Sequence, residues 1–342
     1  MTGTRPDIRD ASGRPLRDLR ISVTDRCNFR CTYCMPRHIF HSHYRFMPRA
    51  DILSFEEVTR VAGLFASLGV KKIRITGGEP LLRRDIERLV AMLARIEGID
   101  DISLTTNGSL LTVDKARALR DAGLRRLNVS LDALDDATFH KINDVSFPVA
   151  RVLDAIDNAA AAGLSPVKVN MVVRAGLNED DIVPMALRFR GTPHIVRFIE
   201  YMDVGSTNGW RMDDVIPARE IVARIHQVRP LRPVDPNYRG EVARRWRYLD
   251  GEGEIGIITS VTEPFCGGCG RARLSAGGSL YTCLFATGGH DLRALLRSGM
   301  NDSEILDRLR AIWGHRSDRY SQIRGERTTA TRSRVEMSHI GG

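Results

Sequence analysis

The sequence lacks any run of eighteen consecutive apolar residues, so no transmembrane helix is expected. Its opening stretch, MTGTRPDIRDASGRPLRDLR, lacks an apolar h-region, so no secretory signal is expected either. These absences place the chain, as an expectation, in the cytoplasm and away from membranes. A G-x-G-x-x-G loop is missing after the first predicted strand, which argues against a doubly wound dinucleotide-binding sheet. No cysteine is left over. The six cysteines form two groups of three, Cys27, Cys31, Cys34 and Cys266, Cys269, Cys283, and neither group has an obvious fourth thiol. In a reducing compartment, clustered thiols bind metal more often than they pair.

What is present is a globular chain of 342 residues, 42% hydrophobic, with ample material for a buried core. Lys plus Arg outnumber Asp plus Glu by 51 to 42, a balance of +9 that favours polyanions or phosphorylated small molecules as partners. A solubilising basic surface gives the same balance, so charge alone selects no ligand.

Six times a short β-branched run is followed by an amphipathic helical stretch, the alternation that builds a parallel sheet. The predicted strands are residues 19–24, 72–76, 102–106, 126–131, 167–173 and 195–200. In the first helical stretch Ser54 can cap and Glu57 can complete a capping box. The pattern predicts an α/β fold, an incomplete (βα)6 TIM-type barrel, with reactive groups at the C-terminal ends of its strands. Beyond about residue 230 it changes to RRWRYLDGEGEIGIITS, read as two strands around a glycine turn. A Cys- and Gly-rich segment and helices near 290–297 and 302–313 follow. This predicts a division into 1–230 and 231–342, the second part being an α+β extension over the open side of the barrel. From His315 onward, composition alone reads as a floppy basic tail.

Three thiolates in C-x-x-x-C-x-x-C can hold three corners of a metal cluster on one loop. His38, His41 or His43 could instead complete a zinc site there, and His290 could do so beside Cys266, Cys269 and Cys283. In the stretch ITGGEP the paired glycines let backbone approach a ligand, and Glu79 offers a carboxylate to an ammonium. Thr105, Asn107, Ser130, Asp132, Lys168, Asn170 and Met202 fall on or just after successive strands. Arg271 and Arg273, two apart in a short strand, point to one side and can clamp a phosphate.

CNFRCTYC, with Tyr33 before the last cysteine, followed by GGE one βα unit on, resembles the radical S-adenosylmethionine superfamily. The resemblance implies a [4Fe-4S] cluster on Cys27, Cys31 and Cys34 whose fourth iron is chelated by S-adenosylmethionine. One-electron cleavage of that cofactor then yields a 5′-deoxyadenosyl radical. Within the superfamily, KKIRITGGEPLLRRD, SLTTNG, LNVSLDAL, KVNMVV, RFIEYM, FCGGCGRARL, TCLF and the terminal IGG resemble, nearly end to end, the GTP-using branch of molybdenum cofactor biosynthesis.

That likeness implies a second [4Fe-4S] cluster on Cys266, Cys269 and Cys283, whose open iron takes the guanine of GTP. It assigns Tyr33, Gly78, Glu79, Ser130 and Met202 to S-adenosylmethionine. Arg20, Arg74, Thr105, Lys168, Arg271, Ala272 and Arg273 go to GTP, with Lys72 and Arg197 as further cations. Arg20, Lys168, Arg271, Arg273, Gly341 and Gly342 become the catalytic candidates, the terminal Gly-Gly reaching into the site. Two departures stand out, Gly270 where asparagine is frequent and His339 where tyrosine is expected.

The implied reaction removes the ribose 3′ hydrogen of GTP and joins C3′ to C8 of guanine. It calls for an electron donor and for cyclic pyranopterin monophosphate synthase as the downstream enzyme; a homodimer is left open, and no nucleic-acid or membrane partner is expected. A peptide-modifying radical enzyme would not need the arginine clamp. A zinc-stabilised nucleic-acid binder would hold zinc and no acid-labile sulfide.

Overall fold

A computed structural model describes residues 8–238, 240–324 and 334–341. All six predicted strands form: β1 (Asp18–Ser22), β2 (Lys72–Thr76), β3 (Asp101–Thr106), β4 (Arg126–Ser130), β5 (Lys168–Val173) and β6 (Ile195–Glu200). They lie side by side in chain order and all run parallel. Helices occupy the crossovers: α1 (Phe55–Ser67), α2 (Ile86–Ala94), α3 (Val113–Asp121), α4 (Asp136–Asn143), α5 (Val149–Ala161) and α6 (Ile182–Phe189). The predicted capping box opens α1, with Glu57 N donating to Ser54 Oγ at 3.1 Å and Ser54 N to Glu57 Oε2 at 2.7 Å.

Strand side chains alternate between two faces, and the sequence obeys that period. Leu19, Ile21, Ile73, Ile75, Leu104, Val169, Met171, Val196 and Phe198 are buried in the hydrophobic core. At the alternate positions stand Arg20, Arg74, Lys168, Asn170 and Arg197. Burying a Leu, Ile or Val side chain contributes about 1.5–3 kcal/mol, so the apolar face supplies the stability against which a charged opposite face can be held.

Residues beyond 230 add strands to both edges of this sheet, an arrangement the sequence pattern did not suggest. The two strands predicted around the glycine turn are β8 (Arg244–Tyr248) and β9 (Glu254–Ile258), preceded by β7 (Leu231–Val234). β9 pairs parallel with β6. β10 (Arg271–Leu274) pairs parallel with β1 at the opposite edge, followed by β11 (Ser279–Tyr281) and β12 (His290–Asp291). The twelve-stranded order is β12-β11-β10-β1-β2-β3-β4-β5-β6-β9-β8-β7.

Helices Leu292–Arg297 and Asp302–Gly314 match the predicted pair. The floppy tail read from composition is overturned for the described residues, because Arg316, Arg334 and Ile340 are all buried. A charged residue is ordered there by ion pairing, which composition does not register: Arg334 and Arg324 both pair with buried Asp203.

Gly270 holds the start of β10 against β1, its carbonyl accepting from Arg17 N at 2.8 Å and Asp18 N at 3.0 Å. A Cβ there would collide with the carbonyl oxygen of Pro15. The departure from asparagine is therefore a packing requirement in this chain. Gly270→Ala and Gly270→Asn are each expected to cost about 1–3 kcal/mol of stability, read by denaturant unfolding, and an unchanged midpoint for Gly270→Ala would rule out the close approach.

Candidate active site

The loop after β1 carries Cys27, Cys31 and Cys34, all free and half-buried. A tight turn brings them together, with Cys34 N and Met35 N both donating to the Cys31 carbonyl at 2.9 Å. Tyr33 Oη donates to Asp132 Oδ2 at 2.7 Å, and Asp132 Oδ1 accepts from Val172 N at 2.8 Å, so the ends of β4 and β5 brace the loop. Burial raises the Asp132 carboxyl to about 6.

The GGE turn after β2 is pressed onto this loop. Gly78 N donates to Thr24 O and Glu79 N to Arg26 O, each at 2.8 Å, and a Cβ on Gly78 would strike the Arg26 carbonyl. Glu79 is buried, and its carboxylate accepts from Thr106 Oγ1 at 2.7 Å, Asn107 N at 2.7 Å and Leu81 N at 3.0 Å. Burial lifts it to about 7. The carboxylate that sequence reasoning offered to an ammonium is thus already tying the turn to β3.

Burial, then the Glu79 charge, pushes the Cys27 thiol up to about 12. Burial and the neighbouring thiols raise Cys31 as well, and burial with Cys27 raises Cys34. Thiolates here need a bound cation to hold them deprotonated. Among the described residues, no three Cys, His, Asp or Glu side chains converge to hold a single metal ion. Three free thiols per group supply the sulfur donors of an iron cluster.

Further down the strands lies a layer of cations. In the sheet register Arg273, Arg20, Arg74, Ser103 and Arg126 stand abreast on β10, β1, β2, β3 and β4. A cavity is lined by Arg20, Lys72, Arg74, Arg126, Arg197 and Arg271, with Asp18 and Glu241 as its carboxylates. Burial lowers Arg20 well below its ordinary value, with Arg74 and Arg273 pushing the same way. Burial and Arg271 bring Arg273 to about 9, and burial and Arg74 bring Arg197 to about 10. Lys168 falls to about 7 through burial and then Arg197, Arg126 and Arg74. This arrangement calls for an anion.

At the opposite end of the strands from the first thiols, Cys266 and Cys269 immediately precede β10, and Cys283 follows β11. Arg271 Nε and Nη2 each lie 3.3 Å from Cys269 Sγ, and Arg316 Nη2 lies 3.4 Å away. Burial raises the Cys269 thiol, but the Arg271 and Arg316 charges with the Arg271 hydrogen bond prevail and bring it to about 6. Burial lifts Cys283 to about 11. Ala272 points to the other face and is buried beside Leu19 in the register.

The tail returns to this layer. Arg273 Nη1 donates to the Gly341 carbonyl, and Gly341 adopts φ +72 where a Cβ would collide with Thr76. Only glycine tolerates both conditions. His339 faces Tyr281 with ring centroids 6.1 Å apart. Gly342 lies outside the described residues.

Thr105 is met by Asn128 Nδ2 at 3.5 Å, and the Met202 carbonyl accepts from Asn208 Nδ2 at 3.1 Å. Ser130 ends β4 in register with Asn170. Sequence reasoning missed Arg126, whose salt bridge to Asp101 steadies it at the start of β4. It also missed Tyr238, whose ring lies 3.4 Å from Lys72 Nζ, and the buried Asp10, Arg14 and Arg316. An arginine opening a predicted strand was a usable signal for Arg126, whereas nothing local marks the others.

A thiol triple at the C-terminal end of a parallel sheet, beside a GGE turn, defines a class. Residues 21–189 match the Radical SAM superfamily, and residues 194–322 match Molybdenum Cofactor Synthesis C. The crystal structure of Streptococcus suis SuiB bound to S-adenosylmethionine shares the fold, with a TM-score of 0.61 at 14% identity over 91% of this chain and 68% of that one. A protein of Acidothermus cellulolyticus named GTP 3′,8-cyclase is 53% identical, covering 99% of this chain and 100% of that protein. One of Staphylococcus aureus with the same name is 50% identical, covering 98% of this chain and 99% of its own length. The chain belongs to the GTP 3′,8-cyclase family of radical S-adenosylmethionine enzymes.

Lys168 generates a pH prediction. Its folded value, about 7, lies below the ordinary 10.5, so between those pH values the unfolded chain binds more protons. Stability of the ligand-free protein therefore rises with pH across that window. A bound polyanion restores the ammonium. Titration with inorganic triphosphate at pH 8, in buffers of different ionisation enthalpy, is expected to show proton uptake that Lys168→Met loses; equal uptake in both proteins would remove Lys168 from the anion site.

Proposed function

We propose that this protein converts GTP to 3′,8-cyclo-7,8-dihydro-GTP, the first step of molybdenum cofactor biosynthesis. The observation that carries the reading is the row of Arg273, Arg20, Arg74 and Arg126 abreast between two thiol triples. A triphosphate neutralises the row, since phosphate oxygens take bidentate arginine well. Four strand steps of β1 separate the levels of the two triples by roughly 13 Å at least, so an elongated nucleotide can address both ends.

Cys27, Cys31 and Cys34 would hold one [4Fe-4S] cluster and Cys266, Cys269 and Cys283 a second, each with an iron left for a small molecule. When bound, the first cluster and S-adenosylmethionine supply one-electron cleavage of the sulfonium and hence hydrogen abstraction. Tyr33, Gly78, Glu79, Ser130 and Met202 would line the cofactor's place. Arg20, Lys72, Arg74, Thr105, Lys168, Arg197, Arg271, the Ala272 backbone and Arg273 would line that of GTP. Gly341, on Arg273 and against Thr76, would close the site beside the phosphates. Holding substrate C–H and cofactor in reacting geometry is the protein's main contribution.

The sheet would form an incomplete (βα)6 barrel. In a flat sheet β10 and β9 would be roughly 34 Å apart, yet Arg271 and Ile258 line one cavity with residues of β1 to β4 and β6. Twelve residues, including the 3-10 turn Cys266–Gly268, join β9 to β10. Residues 1–230 then form the partial barrel, and 231–342 supply the second cluster, the closing strands and the tail. An electron donor feeds the first cluster, and cyclic pyranopterin monophosphate synthase takes the product.

Two outcomes are expected. Anaerobically reconstituted protein should carry about eight irons and eight sulfides, and should form the cyclised nucleotide from GTP and not modify a peptide pool. Arg20→Ala should keep its iron yet lose at least about thirtyfold in kcat/KM, equivalent to about 2 kcal/mol of a lost buried charge contact. Unchanged kcat/KM would sink the phosphate row. Arg271→Ala is a poorer probe, because its guanidinium rests on Cys269.

A further inference from the structure

We infer that Arg316, held by Asp10, is a positioning residue for the Cys269 sulfur, and that it makes the second thiol-held centre easier to reduce than the first. The inference rests on the reading that both triples hold clusters. Arg316 belongs to the stretch after the last long helix, and its side chain is 1% exposed. Nη1 donates to the Cys269 carbonyl at 2.6 Å and to Asp10 Oδ2 at 3.1 Å, while Nη2 donates to Cys269 Sγ at 3.4 Å. The guanidinium carbon lies 4.6 Å from the Trp313 ring.

Asp10 also takes Arg14 Nε at 2.6 Å, and Arg14 Nη1 donates to the Cys266 carbonyl at 3.0 Å. A buried Arg-Asp-Arg group therefore grips both halves of the C-x-x-C turn. With the two Arg271 contacts, three charged N–H groups converge on one sulfur.

Among the described residues the first triple has no guanidinium on a sulfur. Cys27 Sγ meets the neutral donors Phe29 N at 3.4 Å and Asn107 Nδ2 at 3.8 Å, and Arg30 Nη1 reaches the Cys27 carbonyl at 2.7 Å. The carboxyls of Glu79 and Asp132 are buried beside this loop, Glu79 N donating to the Arg26 carbonyl at 2.8 Å and Asp132 Oδ2 accepting from Tyr33 Oη at 2.7 Å. Reduction adds negative charge to a cluster. Hydrogen bonds to the sulfurs and nearby cations stabilise the reduced form, and carboxylates destabilise it.

The test is an anaerobic redox titration of the full chain, reconstituted with iron and sulfide and followed by electron paramagnetic resonance. A Cys27→Ser, Cys31→Ser, Cys34→Ser variant identifies the second centre's signal. The second centre should titrate at the higher potential. Arg316→Gln should move it to lower potential and leave the first unmoved, with a smaller shift for Arg316→Lys. Should the variants lose the second cluster, wild-type protein labelled with 15N-arginine still decides, because nitrogen hyperfine coupling is expected at the second centre only. Absence of that coupling, or an unmoved potential in Arg316→Gln, overturns the inference while the two-cluster reading stands. A wild-type content of only about four irons overturns that reading and the inference with it.

Discussion

Like charges held side by side without enough countercharge are the constraint on which this structure turns. Arg20, Arg74 and Arg273 meet in register on three neighbouring strands, with Arg126, Arg197 and Lys168 close by. Desolvation and mutual repulsion depress Arg20, Arg74, Lys168, Arg197 and Arg273 together, which costs stability in the ligand-free chain. The opposite face of the same strands offsets that cost. Leu19, Ile21, Ile73, Ile75, Val169, Val196 and Phe198 are each one strand position from a cation, so core and charged layer are consequences of a single period-two pattern. An anion entering the cavity relieves the repulsion.

The two thiol triples gain their separate characters from the ends of the strands they occupy. At the C-terminal ends the backbone turns sharply, the GGE segment folds onto the first cysteine loop, and carboxylates gather. At the other end β10 enters the sheet beside β1, bringing Cys266 and Cys269 against arginines from residue 14, residue 271 and residue 316. Guanidinium N–H groups reach a cysteine sulfur at the second end, and the cationic row lies between the two. Gly341 completes the enclosure, seated between Thr76 of β2 and Arg273 of β10.

Much of this was legible in the residues. All six parallel strands and the first helix cap followed from hydrophobic periodicity and from Ser54 with Glu57, because those features arise from contacts within a few positions. The thiol groups, the GGE turn and the paired arginines were legible for the same reason. β9 and β10 were read as belonging to a separate extension, since no local pattern states which edge of which sheet a strand joins. Arg126 passed unnoticed because a lone arginine at a strand start is common. Arg316 was assigned to a floppy tail, and its burial depends on Asp10, some three hundred positions earlier.

By itself the sequence determined which residues could bind metal, which strands could form and which face of each carries charge, for those properties live in residue type and spacing. Tertiary structure alone decided which cations meet and which triple is surrounded by guanidinium. It also decided that Gly341 lies against Thr76. Coulomb energy depends on distance and burial, and the distances between Asp10, Arg273, Arg316 and Gly341 exist only once the sheet has brought both ends of the chain together.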